Sequence, residues 1–126
     1  MVQVDISQLS AECNNWREQL RLLREEFTTD ETRLRQAASK TLSREQLQEV
    51  EHLHNQFHIQ LINVHDLKQS IKAHDRRVQF ETVANSGQIS EDTIAEHERL
   101  YEEYQSLDST IKNLREEFSD FVHRSS

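Results

Sequence analysis

Residues 41–67 read TLSREQLQEVEHLHNQFHIQLINVHDL, and this run decides the fold. Ser43 and Gln46 stand three apart, as a helix N-cap and its N3 partner do when each side chain satisfies the other's backbone N–H. Leu42 and Leu47 flank them at the N′ and N4 positions of a hydrophobic staple. Beyond the cap, apolar residues recur at Leu47, Val50, Leu53, Phe57, Leu61, Val64 and Leu67, and the series carries on to Ile71 and Val78. Steps of three and four keep these side chains on one helix face. Between Leu53 and Leu67 the steps run four, four, three, three, which widens the stripe beyond a two-position seam, as a helix touching two neighbours requires. The pattern lapses at Asn85-Ser86-Gly87, where the chain's single glycine falls at the C′ position that favours positive φ. A helix over 44–85 would be about 63 Å long.

The flanking segments obey the same rule. Upstream, Ile6, Leu9, Cys13, Trp16, Leu20, Leu23, Phe27, Leu34 and Ala37 form a heptad seam interrupted once, by Asp30. Asp5 is placed to cap its start. Thr28 and Glu31 could begin a new helix, but the heptad phase is unchanged across them, so one helix over 6–39 is expected. Downstream, Ser90 precedes Glu91 and Asp92, with Ile89 and Ile94 as a second staple. The seam His97, Leu100, Tyr104, Leu107, Ile111, Leu114, Phe118 and Phe121 then defines a helix over 91–124. Three long amphipathic helices joined by loops of about five residues must run up, down and up. The expected fold is an all-α antiparallel three-helix bundle with left-handed coiled-coil packing, one domain over 1–126. With Trp16 in the first seam, Phe27 farther along it and short polar turns, the pattern resembles a spectrin-type repeat. That resemblance implies a scaffold, spacer or docking module rather than an enzyme.

Composition narrows the function classes. The chain has 126 residues, no proline, one glycine, 15 Lys plus Arg and 23 Asp plus Glu, for a net charge of −8. Without glycine-rich turns, phosphate loops and β-hairpins have no material. A net negative charge repels phosphate backbones, so no nucleic acid partner is expected. No apolar run approaches the roughly 20 residues that cross a bilayer, and no lysine-rich face is present for its surface, so no membrane partner is expected. The lone Cys13 cannot form an intrachain disulfide, and Met1 to Ile6 lacks a signal-peptide pattern, which points to the cytoplasm.

Candidate sites are few. Matching the helices through the first turn places residue i of the first level with about residue 83 − i of the second. Asp30 then faces Leu53 and His54, and a polar core layer of Asp30 with His54 is expected, shared with Arg33 or water; the alternative is that Asp30 turns outward. Seven histidines raise the question of metal, with Glu51, His54 and His58 at ligand spacing and His65 two turns on. Taking Phe57 as the stripe centre, Glu51, His58 and His65 fall about 80 to 120° off it, so the row reads as solvated and no metal or cofactor is expected. His97 is expected half-buried beside Val78, near the start of the first helix, and Cys13 as a small core side chain. No nucleophile and base can be assembled, so no enzyme is expected. Ile59, Ile62 and Phe80 lie about 140 to 200° from Phe57, opposite the core. They are the candidate partner surface, for a protein partner and most simply a homodimer through the second helix. The expected function is a non-enzymatic interaction or scaffold module; the alternative is a metal- or pH-responsive bundle using His54, His58 and His65.

Overall fold

A computed structural model describes residues 5–40 and 42–125 of the chain. Three helices account for nearly all of it: α1 (Ile6–Ala38), α2 (Arg44–Ala84) and α3 (Glu91–Ser125). Each boundary falls within one residue of the sequence expectation, because the caps act as read. Asp5 accepts from the backbone N–H of Gln8 at 3.3 Å. Ser43 and Gln46 close the reciprocal box, at 3.1 and 2.8 Å. Ser90 Oγ accepts from the N–H of Thr93 at 3.2 Å. Across residues 28–31 α1 continues without a break. The hydroxyls of Thr28, Thr29 and Thr32 each donate to the carbonyl four residues back, so they serve the existing helix instead of capping a new one.

The turn after α2 needs two residues with positive φ, Ser86 at 54° and Gly87 at 87°. Gly87 N–H donates to Thr82 O at 2.9 Å, closing the helix end. A Cβ on Gly87 would meet nothing within 4 Å, so its backbone angle alone selects glycine there.

Pairs of touching residues fix the register. Between α1 and α2 the residue numbers of a pair sum to a near-constant, as in Phe27 with Phe57 and Ser10 with Asp75, so these helices run antiparallel. The same holds for α2 and α3, as in Phe57 with Phe118 and Glu49 with Arg124. Between α1 and α3 the difference is constant instead, as in Cys13 with His97 and Asp30 with Arg115, so these two run parallel. All three pairs of helices pack together.

The core is the three seams turned inward. Toward the end of the bundle that holds the first turn, Phe27, Phe57 and Phe118 meet edge to face, one from each helix, with centroids 4.4 and 5.5 Å apart. Trp16, Leu20 and Leu34 of α1, Leu53, Val64 and Ile71 of α2, and Leu100, Ile111 and Phe121 of α3 extend it toward both ends. Ile89 is fully buried under the second turn, as a staple residue should be. Among the described residues no helix is long and apolar enough to cross a membrane.

The buried face of α2 is not centred where the sequence suggested. Besides Leu53, Phe57, Val64 and Ile71, the buried residues of this helix include Gln60, Leu67, His74, Val78 and Glu81. At 100° per residue their mean direction lies about 50° from Phe57. A helix packed against two others buries a wide arc, and Phe57 marks one side of it. This offset decides which histidines point inward.

Candidate functional site

Near one end of the bundle, where α1 and α3 begin and α2 nears its end, three potential ligand side chains converge, one from each helix. They are Cys13 of α1, His74 of α2 and His97 of α3, at 0, 4 and 6% exposure. One ligand atom from each lies within 4.8 Å of the other two. His74 Nε2 is 2.9 Å from His97 Nδ1, and Cys13 Sγ is 4.0 Å from that same nitrogen. On the far side of its ring, His97 Nε2 is 3.3 Å from Glu12 Oε2. The indole of Trp16 lies on the His97 ring at 4.7 Å between centroids and is itself stacked by Tyr101 at 5.6 Å. Beside the cluster Asp75, also buried, accepts from Ser10 Oγ at 3.0 Å and from Gln79 Nε2 at 3.2 Å.

Hydrogen-bond bookkeeping fixes the proton positions for neutral rings. His97 donates its Nε2–H to the Glu12 carboxylate, so its Nδ1 is an acceptor. His74 then donates Nε2–H to that nitrogen. This leaves His74 Nδ1 as a lone pair, and among the described residues it is the buried side-chain atom without a hydrogen-bond partner. Burial pushes the Cys13 thiol up to about 12, and the nearby Asp75 and Glu12 carboxylates push the same way. Burial also lowers the proton affinity of His74, with the neighbouring His97 as the second cause. At neutral pH Cys13 is therefore a thiol, and the His74 ring favours its neutral form. A thiol held so far from ionisation is a poor nucleophile. An open depression of about 270 Å³, lined by Ser70, Ala73, His74, Arg77 and Glu96, leads from solvent to the His74 side of the cluster.

The residues singled out from sequence lie elsewhere. Asp30 is buried at 4% exposure, as a polar layer requires, but its partner is Arg115 of α3 and not His54. Arg115 Nε donates to Asp30 Oδ2 at 2.6 Å, and its Nη1 reaches Glu26 at 2.8 Å. His54 is level with Asp30, yet it is exposed on α2, because the true centre of the buried arc lies about 50° to the other side of Phe57. The expected Asp30 and His54 layer is thus corrected to Asp30 with Arg115. Leveling α1 against α2 alone left out the third helix. The parallel offset between α1 and α3 brings Arg115 alongside Asp30.

Glu51, His54, His58 and His65 all point outward and converge on no common point. His58 and His65 line an open groove with Arg24, Thr28, Leu61 and Ile62. His97 is where the seam placed it, but it is buried rather than half-buried and bonds to His74. Sequence reasoning missed His74 because, counted from Phe57, it stands about 100° off centre; counted from the observed centre it stands about 50° off and inside. Both Cys13 and His97 are seam residues, and the α1–α3 offset that pairs Asp30 with Arg115 pairs them too. Ile59, Ile62 and Phe80 are exposed at 45, 47 and 71%. At the second turn Glu81 accepts from the backbone N–H of Ser90 at 3.0 Å, from Arg77 at 3.1 Å and from the Thr93 hydroxyl, tying the end of α2 to the start of α3.

No family model, curated protein or solved structure matches this chain.

Proposed function

We propose that this chain is a non-enzymatic, spectrin-like helical scaffold that docks the outward face of α2 on a protein partner, most simply a second copy of itself. The observation that carries this reading is the exposure of Ile62 and Phe80 on the side of α2 opposite its buried arc, with Ile59 exposed on the flank beside them. A helix gains nothing from leaving three large apolar side chains in water together. Their spacing also suits self-association. If two copies of α2 cross antiparallel about a two-fold axis near Ser70, Phe80 of one copy falls level with Ile59 and Ile62 of the other. The same pairing brings Asp66 within a helical turn of Arg76, opposite charges on exposed positions, with the small Ala73 near the centre of the contact.

Light scattering at micromolar concentration tests this. The expected result is a dimer that dissociates on Ile62→Asp or Phe80→Asp while far-ultraviolet circular dichroism is unchanged. A chain that stays monomeric across that range, with both substitutions silent, overturns the reading.

A further inference from the structure

We propose that Cys13, His74 and His97 form a metal site, one ligand from each helix, that takes Zn²⁺ through the Cys13 thiolate, His74 Nε2 and His97 Nδ1. Thiolate and imidazole are the ligand types of zinc, and three protein ligands with an open fourth position are a common zinc arrangement. The geometry is close to the requirement. Tetrahedral zinc with bonds of about 2.05 Å to nitrogen and 2.3 Å to sulfur separates two nitrogens by about 3.3 Å and a sulfur from a nitrogen by about 3.6 Å. The observed separations are 2.9 and 4.0 Å. Both are within about half an ångström, and one ligand atom from each of the three residues lies within 4.8 Å of the other two, so side-chain torsions bring the sulfur and the His74 nitrogen together on one ion.

Three further features point the same way. The ring of His97 is already held for ligation: Glu12 receives its far N–H, as a carboxylate does behind a metal-bound histidine, and Trp16 fixes its plane. His74 and His97 are both more than nine-tenths buried, a polar cost that a purely structural seam avoids by using leucine. A solvent-open depression is lined in part by His74, so water lies against the outer side of the cluster.

The protons balance. The ion takes the place of the proton that bridges the two rings; that proton moves from His74 Nε2 to His74 Nδ1, His97 keeps its own on Nε2, and Cys13 gives up its thiol proton to solvent. One proton is released for each Zn²⁺ bound. Because the ligands come from α1, α2 and α3, occupancy cross-links one end of the bundle and stabilises the folded state by mass action.

The test uses the full chain after treatment with a chelator, titrated with Co²⁺ as a spectroscopic probe and with Zn²⁺. The expected result is one equivalent of Co²⁺ with a thiolate-to-metal charge-transfer band, displaced by Zn²⁺, and an upward shift of Tm with Zn²⁺. Cys13→Ala removes the band, His74→Gln weakens binding strongly, and Glu12→Gln weakens it about 10-fold. The triple substitution His54→Ala, His58→Ala and His65→Ala leaves all signals in place. Absence of the charge-transfer band in the folded wild type overturns the proposal, whether or not a core variant folds. So does a Zn²⁺ response that survives Cys13→Ala and vanishes in the surface triple variant.

Discussion

Arg115 and Asp30 form an ion pair whose two ends differ in solvent access, and that asymmetry predicts unequal costs for removing them. The Asp30 side chain is 6% exposed and the Arg115 side chain 37%. Replacing Arg115 with methionine leaves the buried Asp30 carboxylate without its ion-pair partner, which costs about 3–5 kcal/mol. Replacing Asp30 with asparagine leaves a guanidinium that already reaches solvent and keeps Glu26 at 2.8 Å. Only the charge-assisted part of one hydrogen bond is then lost, about 1–2 kcal/mol. With about 2.1 cal/mol/K of unfolding entropy per residue, these costs lower Tm by about 11–19 °C and 4–8 °C respectively. The double variant Asp30→Leu with Arg115→Met removes both charges and fills the layer with apolar volume. It should recover most of the loss, because a buried pair rarely outperforms its hydrophobic replacement. Urea denaturation followed by far-ultraviolet circular dichroism, on wild type, both single variants and the double, measures all four corners. If Asp30→Asn costs as much as Arg115→Met, or if the double variant is no more stable than Arg115→Met, the argument from solvent access is wrong.

Three other perturbations follow from the fold. The Thr93 hydroxyl, with the Ser90 N–H and Arg77 helping and burial opposing, lowers the Glu81 carboxyl from its ordinary 4.5 to about 2. A carboxyl with a depressed folded value stabilises above its unfolded value and loses that contribution as pH falls from about 4.5 toward 2. Wild type should therefore exceed Glu81→Gln in stability by about 1.5–3 kcal/mol at pH 7, with the gap closing below pH 4; a gap that is constant with pH refutes this. Gly87→Ala should cost about 1–2 kcal/mol, through its φ of 87° alone, and Gly87→Asn less; equal costs would mean that space rather than backbone angle constrains the turn. Phe57→Ala, at the meeting point of the Phe27 and Phe118 rings, should cost about 3–5 kcal/mol in urea denaturation, and a value under about 1 would show that this layer collapses freely around the gap.

The sequence by itself determined what depends on neighbours along the chain. The Ser43 and Gln46 box, the Asp5 cap, the glycine at residue 87 and the three seams are local signals, and the helices end within a residue of where those signals place them. The up, down and up course followed from short loops between long helices. Even the level of each layer was legible, since Asp30 does lie opposite His54 in height. What only the tertiary structure decided is rotation and third-party contact. A middle helix packed on two neighbours settles with its buried arc centred by both interfaces at once, about 50° from the largest side chain in its stripe, and that turn sends His54 outward and His74 inward. Arg115 reaches Asp30, and His97 reaches Cys13, only because α3 lies parallel to α1 at a fixed offset of about 85 residues, a distance over which no helical periodicity carries information. The cluster of Cys13, His74 and His97 needs three rotations and two offsets to be correct together, which is why packing, and not the pattern along any one helix, brings it into being.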